Sequence, residues 1–430
     1  MNNSIFSSLR LRKKIGCYFF GMLCCAFLSC GRGQKLPNKE KKITAAEILG
    51  NPAYPAISYG GYRAKSREIQ PSLEQIKNDL SILQAMGIKL VRTYNLQFEH
   101  AFNVIKAIEA LKQENPSFEM YVMLGAWIDC KGAWTEVRDH SSENLENNTS
   151  EIEKAITLAN QYPQIVKIIS VGNEAMVHWA EAYYVTPQII LKWVNHLQDL
   201  KKEGKLPADL WITSSDNFAS WGGGDDSYHL ATLTQLIKAV DYLSIHTYPF
   251  HDTHYNPDFW EIDSDTDISK KESIEAAMDR ALTYAIGQFN AVKKYLEKVG
   301  IDKPIHIGET GWSSQSKGLY GNNGSHAADE YKQALYYHKM QQWSKENNIT
   351  NIYFSAFDEP WKDPNGPLAS ENNFGLFTVE GKAKYALWSL VDNGTFHRLS
   401  RESNGATIEK TFEGNAQEVF DQSKSPKTKK

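Results

Sequence analysis

Two glutamates stand at the ends of short apolar stretches in the middle of the chain. Glu174 completes the motif Val-Gly-Asn-Glu, and Glu309 lies within Ile-Gly-Glu-Thr-Gly-Trp. The C-terminal ends of parallel barrel strands converge on one mouth, so both carboxyl groups are expected in one pocket. A protonated carboxyl at the leaving oxygen and an ionised carboxylate at the anomeric carbon together break a glycosidic bond. The pair therefore predicts the chemistry of a retaining glycosidase.

Eight apolar runs of strand length alternate with helical patterns, which is typical of a parallel sheet covered by helices. The fold class is predicted as α/β, a single (β/α)8 TIM barrel with extended top-face loops over residues 49–397. A chain of 430 residues is an ordinary length for such a barrel. On this count Glu174 ends the fourth strand and Glu309 the seventh. The predicted strands are residues 56–61, 89–94, 119–127, 166–174, 210–216, 241–248, 304–309 and 351–358.

The N-terminal segment has the features of an export signal. A basic stretch precedes the apolar run 15–28, which is too short to span a bilayer comfortably. The run leads into Phe-Leu-Ser-Cys, which resembles a bacterial lipobox with Cys30 as the lipidated residue. We predict a lipoprotein signal peptide over 1–29, a polar tether over 30–48, and a lipid anchor in the bacterial cell envelope, periplasmic or at the cell surface. An ordinary signal peptide with an incidental Cys30 is the alternative.

Composition and charge exclude some partners. The formal net charge is −4, and loss of the four basic residues of the signal leaves −4 − 4 = −8, so no nucleic-acid partner is expected. The 11 Trp and 21 Tyr exceed what a core alone needs, and aromatic faces can stack on sugars. The chain becomes polar after residue 397, which predicts a C-terminal tail over 398–430. No metal site is predicted, because His246, His251 and His254 lack a nearby set of carboxylates. No cofactor and no protein partner is predicted either.

Several motifs in order resemble one family. A strand-four and a strand-seven glutamate resemble the four-seven superfamily of barrel glycosidases. Together with Phe-Asp-Glu-Pro-Trp-Lys, which ends at Lys362, the two glutamate motifs resemble glycoside hydrolase family 17, the β-1,3-glucanase family, over residues 56–388. The resemblance implies that Glu174 is the general acid/base and Glu309 the nucleophile. Longer loops and the Asp-Glu-Pro-Trp ending are more similar to fungal and bacterial members, which leaves linkage preference open.

The resemblance also implies roles for residues around the pair. Asn173 would donate to the sugar 2-hydroxyl, although it could be an ordinary turn residue. Tyr248 would hydrogen-bond Glu309 and hold it ionised, although it could simply pack over the mouth. Tyr94 ends the second strand beside Arg92, and both are expected to point at the mouth, with Arg92 supporting a carboxylate.

Further residues are expected to contact substrate. Trp312 and Trp361 are predicted sugar platforms, because aromatic faces bury the apolar side of a pyranose. Glu359 and Lys362 match charged residues that the family places around the site. Substrate contact and a structural ion pair are equally compatible with their positions.

These observations predict a retaining, endo-acting glycoside hydrolase that cleaves a β-1,3-glucan such as laminarin by double displacement. Two alternatives remain at this stage. A transglycosylase would use the same glutamates but pass the glycosyl unit to a sugar acceptor. A lipid-anchored glycan-binding protein on a degenerate barrel would bind without turnover.

Overall fold

Eight parallel strands close into a barrel at the centre of the fold. Each strand pairs with the next along the chain, and β8 pairs with β1. This confirms the predicted TIM barrel and the placement of the two glutamates on the fourth and seventh strands. The strands are β1 (Ala56–Ser58), β2 (Leu90–Arg92), β3 (Tyr121–Ala126), β4 (Val166–Asn173), β5 (Trp211–Asn217), β6 (Leu243–His246), β7 (Ile305–Thr310) and β8 (Asn351–Tyr353).

The computed structural model describes residues 43–263, 268–366, 368–402 and 405–429. The predicted signal peptide, the lipidation at Cys30 and most of the predicted tether lie outside these residues. Among the residues described, no helix combines the length and the apolar character needed to cross a bilayer.

Helices cover the outside of the barrel and follow local sequence signals. Ser72 and Gln75 form a reciprocal capping box at the start of α2, and Gly87 follows its C-terminus with φ of +85°. Ser269 begins α8 with a second capping box. The helices are α1 (Ala45–Ile48), α2 (Leu73–Ala85), α3 (His100–Glu114), α4 (Leu145–Gln161), α5 (Pro187–Lys202), α6 (Ala231–Ala239), α7 (Pro249–Tyr255), α8 (Lys270–Val299), α9 (Glu330–Glu346), α10 (Trp388–Asp392) and α11 (Ala416–Gln422).

The loop between β3 and α4 carries an extra antiparallel hairpin. Its strands are Cys130–Lys131 and Asp139–Glu143. The hairpin was not predicted, because its two strands are short and its second strand is polar throughout. The hairpin lies on the side of the barrel where the predicted catalytic residues emerge. The sequence did predict extended loops on this face, although not the hairpin itself.

The barrel unit begins earlier than the predicted boundary at residue 49. Thr44 caps α1 through a reciprocal bond with Glu47, and Ala45 and Ile48 are buried. They belong to one apolar cluster with residues that open the barrel strands, among them Leu90. The end of the predicted tether therefore forms a short helix that covers the N-terminal mouth of the barrel.

The C-terminal segment differs from the polar tail predicted over 398–430. Arg401 is buried and binds both oxygens of Asp79 in α2, each at 2.9 Å. Lys332 Nζ donates to the carbonyl of Lys424 at 2.9 Å. The residues that attach this segment to the barrel are single residues separated by polar stretches. No apolar periodicity in the sequence therefore indicated these contacts. The described part of this segment runs along the barrel surface as part of the same compact unit.

Candidate active site

A cleft of about 470 Å³ opens at the C-terminal ends of the barrel strands. Glu174 and Glu309 both line it, so the barrel brings the two predicted carboxyl groups together. Tyr248 and Trp312 do not line the cleft, although Tyr248 reaches Glu309 from beside it. The other predicted residues that line the cleft are Tyr94, Asn173, Glu359, Trp361 and Lys362.

Glu309 is buried and receives three hydrogen bonds. Arg92 Nη1 and the Tyr94 hydroxyl lie 2.8 and 2.9 Å from Oε2. The Tyr248 hydroxyl donates to Oε1 at 2.6 Å. Both carboxylate oxygens are therefore fixed by donors, which favours the charged form and holds the group in one orientation.

Opposing effects act on the pKa of Glu309. Burial alone would raise it. The electrostatic effects of His246, Arg92 and Lys362 act in the other direction, and the hydrogen bond from Tyr248 adds to them. The net effect lowers the pKa below the ordinary value of a glutamate. A carboxyl group held ionised in this way has the charge state that a glycosidase nucleophile requires.

Arg92 connects three barrel strands inside the site. Its Nη1 also donates to the carbonyl of Gly308 at 2.7 Å, and its Nη2 donates to Asn173 Oδ1 at 2.5 Å. Because the amide of Asn173 is held through its oxygen, its NH₂ group is the part left to donate. The planar guanidinium thus fixes β2, β4 and β7 relative to one another at the level of the two glutamates.

Glu174 follows β4 in a left-handed backbone conformation, with φ of +47°. Its N–H donates to the carbonyl of Ser215 in β5 at 3.0 Å, which fixes this turn. Non-glycine residues adopt such a conformation rarely, and functional sites are where it concentrates. Its Oε1 lies 3.0 Å from His246 Nδ1, and its side chain keeps 15% exposure. Glu174 is therefore the more accessible of the two carboxyl groups.

His246 connects the surroundings of the two glutamates. Its Nε2 lies 3.3 Å from Arg92 Nη1 and 2.8 Å from Ser215 Oγ. A guanidinium can only donate, so in the neutral form of His246 we assign Nε2 as the acceptor and Nδ1–H as the donor to Glu174. His246 therefore lies buried inside the barrel and contacts both Arg92 and Glu174.

Comparison with known proteins identifies the family. Residues 56–375 match the BtgE/BtgC glycoside hydrolase domain. The chain belongs to this family. It is therefore a glycoside hydrolase.

Three other proteins are similar to this BtgE/BtgC domain. A solved endo-laminarinase from Formosa Hel1_33_131 is 58% identical, covers 90% of this chain and 98% of its own, and has a TM-score of 0.88. A Rhizomucor miehei β-1,3-glucanosyltransferase is 21% identical, covers 83% and 98%, and shares the fold with a TM-score of 0.53. The btgC protein of Aspergillus niger is 23% identical over 68% of this chain, and the chain spans only 36% of its length.

A third carboxyl group, that of Glu359, lies in the cleft of the BtgE/BtgC domain. Burial raises its pKa to about 7, against the lowering effect of Lys362. Lys362 Nζ lies 4.0 Å from Glu359 Oε2 and 4.1 Å above the Phe354 ring. A Cβ at Gly60 would come within 2.0 Å of Glu359 Oε1, so the carboxyl group packs directly on glycine backbone. The geometry shows a loose ion pair between Glu359 and Lys362 at the lining of the cleft, and contact of either residue with substrate stays a prediction.

The prediction that Trp312 is a sugar platform is wrong. Its side chain is fully buried, and its Nε1 donates to the carbonyl of Ala327 at 2.8 Å. Phe250, Trp260 and Tyr336 pack around its ring. The chain turns inward after β7, so a residue three positions beyond Glu309 enters the core behind the cleft. The position of Trp312 just after a strand end did not predict the direction of its side chain.

Trp361 does lie at the cleft. The guanidinium of Arg67 stands 4.4 Å from the centre of its ring, and Tyr62 meets the ring edge-on at 6.1 Å. One face of the indole is therefore already covered by a cation.

Two buried acids that shape the cleft were missed by sequence reasoning. Glu151 accepts the backbone N–H groups of Leu96 and Trp127, each at 2.8 Å, and burial raises its pKa to about 7. Asp216 accepts the N–H of Met176 at 2.7 Å, and burial raises its pKa to about 6. Both hold rim loops in place. Glu151 gave no signal within the amphipathic helix α4. Asp216 ends the apolar run predicted as β5 and could have been recognised as an acid at the rim.

Proposed function

We propose that the protein is a retaining, endo-acting hydrolase of β-1,3-glucan. The observation that carries this proposal is the pairing of Glu174 and Glu309 in one cleft, with Glu309 buried under three donors and Glu174 accessible. The 58% identity to an endo-laminarinase supports the substrate. The motif resemblance to glycoside hydrolase family 17 supports the same substrate class.

The proposed reaction is a double displacement. An oxygen of ionised Glu309 bonds to the anomeric carbon while the glycosidic bond breaks and protonated Glu174 gives its proton to the leaving oxygen. Glu174 then takes a proton from water, whose oxygen bonds to the anomeric carbon and displaces Glu309. Both glutamates return to their starting states, and the β-configuration is retained. Asn173 would donate to the sugar 2-hydroxyl during both steps.

The shape of the cleft supports cleavage within a chain. Residues from the loops after β1, β2, β3, β4 and β8 line it together with Glu309 of β7, so it extends over much of the barrel mouth. Several glucosyl units could lie along such a groove.

Transglycosylation is the second candidate, because the fold is shared with a Rhizomucor miehei β-1,3-glucanosyltransferase. The same covalent intermediate would then pass its glycosyl unit to a sugar. A protein that only binds glycan has no use for an ionised nucleophile beside an accessible acid, so the site disfavours that alternative.

The test is digestion of laminarin, a mixed-linkage β-glucan and cellulose, with product anomers followed by NMR. Wild type and the Glu174→Gln and Glu309→Gln variants are compared, and thermal unfolding shows that each variant is folded. Initial β-anomers from laminarin that both substitutions abolish would support the proposal. Products longer than the substrate would favour transglycosylation. Initial α-anomers would contradict the double displacement, and binding without turnover would contradict hydrolysis itself.

We also propose attachment to the bacterial cell envelope through a lipid on Cys30. The proposal rests on the lipobox-like Phe-Leu-Ser-Cys after a short apolar run. Mass spectrometry of the N-terminal peptide should find an acylated Cys30 in the membrane fraction. Cys30→Ser should move the protein out of that fraction. A cleaved, unacylated N-terminus in wild type would instead support the ordinary signal peptide.

A further inference from the structure

Three aromatic rings form a continuous wall along one part of the cleft. Trp127, Tyr183 and Trp134 all line the cleft, and we call them the aromatic wall. The rings of Trp134 and Tyr183 stack with centres 5.0 Å apart and an interplanar angle of 25°. Trp127 lies 4.9 Å from Tyr183 and 6.5 Å from Trp134. An extended aromatic surface beside a sugar-cleaving site offers a stacking face for a pyranose ring.

The hairpin after β3 holds Trp134 against the loop that follows Glu174. The N–H of Trp134 donates to the carbonyl of Ala182 at 2.8 Å. The N–H of Cys130 donates to the carbonyl of Tyr183 at 3.1 Å. The hairpin and the loop after β4 therefore form one hydrogen-bonded unit, and Tyr183 of the aromatic wall lies on the same loop as Glu174.

Trp134 is unfavourable as a purely structural residue. Its side chain is 64% exposed, and its backbone lies in the left-handed region with φ of +65°. A bulky residue is disfavoured there, and exposure of the indole brings little burial to compensate. Such a cost at the edge of an active-site cleft is explained if the ring contacts a ligand.

The aromatic wall lies nearer to the acid than to the nucleophile. Tyr183 lies on the loop that begins with Glu174 after β4, and this loop is hydrogen-bonded to the hairpin that carries Trp134. Glu309 lies in β7 and Glu359 follows β8, and β4 and β8 lie on opposite sides of the eight-stranded ring. In a double displacement the acid stands beside the leaving oxygen and the nucleophile beside the anomeric carbon. The wall is therefore on the side of the departing half of the substrate.

We propose that the aromatic wall is a subsite for a glucosyl unit on the leaving-group side of the cleaved bond, with Trp134 as its exposed platform. The inference rests on the proposed function and goes further by assigning this subsite to one half of the glucan chain. In transglycosylation, the same subsite would hold the sugar acceptor that takes the place of the departed half of the substrate. Trp134 would then influence where long chains are cut and how readily the enzyme transfers to sugars.

The test compares two substrates for Trp134→Ala. Laminarihexaose places glucosyl units on both sides of the bond, whereas an aryl β-laminaribioside has no sugar on its leaving side. We expect kcat/KM for the hexaose to fall roughly two- to tenfold, mainly through KM, with a changed ratio of initial products. The loss on the aryl glycoside should be clearly smaller. Equal losses on both substrates, or none on either, would overturn the assignment.

Two further variants separate the ring from its scaffold. Trp134→Gly removes the indole and suits the left-handed backbone, so it should fold at least as well as wild type and lose the same function as Trp134→Ala. Trp134→Tyr keeps a stacking face and should recover most of the hexaose activity. Trp179→Ala removes an indole of similar exposure, 61%, that does not line the cleft, and serves as the matched control. Loss of hexaose activity in Trp179→Ala as large as that in Trp134→Ala would contradict a specific subsite.

Binding distinguishes failure of this proposal from failure of the proposed function. Calorimetry with Glu309→Gln measures affinity for laminarihexaose without turnover, with and without Trp134→Ala. If wild type fails to cleave laminarin, weakened hexaose binding in the double variant still supports a glucan subsite at the wall. If the hexaose does not bind at all, or binds equally to both variants, the subsite is refuted whatever the activity.

Discussion

The surroundings of Glu309 and of Glu174 differ in almost every physical respect. Glu309 is buried, and its two oxygens face an arginine and two tyrosines. The charges of His246, Arg92 and Lys362 and the hydrogen bond from Tyr248 outweigh burial and lower its pKa. Glu174 keeps 15% side-chain exposure and has one histidine contact at its carboxyl group. Identical side chains are thus divided between a carboxylate that three donors fix and a carboxyl group with a single histidine contact. The two roles proposed for them therefore follow environment and not residue type.

The largest expected effect follows from removing the fixed anion. Glu309→Ala should lower kcat on every glucan and aryl glycoside by about 10³-fold or more, because no covalent intermediate can form. Azide should restore turnover of a dinitrophenyl glycoside and give the α-glycosyl azide, since it enters from the face that Glu309 occupied. NMR of the azide product makes the measurement. A β-azide would show that the two roles are reversed.

Removing the accessible acid should have a smaller and selective effect. Glu174→Ala is expected to lower laminarin turnover by about 10² to 10⁴-fold, the usual contribution of general acid–base catalysis. A dinitrophenyl glycoside needs no proton on its leaving group, so its first step should remain fast and an intermediate should accumulate. A burst in stopped-flow absorbance, and a β-glycosyl azide on rescue, are the expected results. Equal loss on both substrates would argue against Glu174 as the acid.

Weakening the arginine contact should shift a pH profile. Arg92→Lys keeps the charge but cannot bind Glu309, Asn173 and Gly308 together, because it lacks the planar fork. We expect kcat to fall roughly tenfold or more, as a charged hydrogen bond is lost. Activity requires ionised Glu309 and disappears as pH falls through its pKa, so raising that pKa moves the acidic limb of kcat/KM to higher pH. Arg398→Lys, at an exposed arginine, should leave the profile unchanged. An unshifted acidic limb would contradict the role of Arg92.

The smallest effect is expected from a single hydroxyl. Tyr248→Phe removes one donor to Glu309 and leaves the aromatic packing, so the acidic limb should move in the same direction as in Arg92→Lys but less far. The loss in kcat/KM should be about tenfold. The pH dependence of kcat/KM on one aryl glycoside, measured for wild type, Arg92→Lys and Tyr248→Phe, ranks the two contacts to Glu309 by their effect on its pKa. A larger shift for Tyr248→Phe than for Arg92→Lys would mean that the phenol, and not the guanidinium, dominates the environment of the anion.

Much of the fold could be predicted because its signals are local. Apolar runs bounded by turns marked all eight strands. Counting strands was then sufficient to place Glu174 and Glu309 at one mouth. Tyr248 contacts Glu309, as the family resemblance implied.

The features that sequence reasoning missed depend on contacts between distant segments. Trp312 follows a strand that faces the cleft, yet the loop turns it into the core. Glu151 stands in an amphipathic helix and still receives two rim N–H groups. Tyr183 has no neighbouring motif and becomes part of the aromatic wall only because the hairpin docks beside it. In each case the direction of a side chain is set by tertiary packing, which no local period records.

Arg92 has a consequence for how the molecule folds. It bonds to Asn173, Gly308 and Glu309, which lie 81, 216 and 217 positions further along the chain. Contacts of such sequence separation form only after long loops have closed, and they are slow to assemble. The contacts that Arg92 makes to Asn173, Gly308 and Glu309 are therefore complete only when β2, β4 and β7 have met. Recovery of turnover during refolding would report closure of the barrel itself. Helical signal that returns before turnover would come from segments that form before the barrel closes.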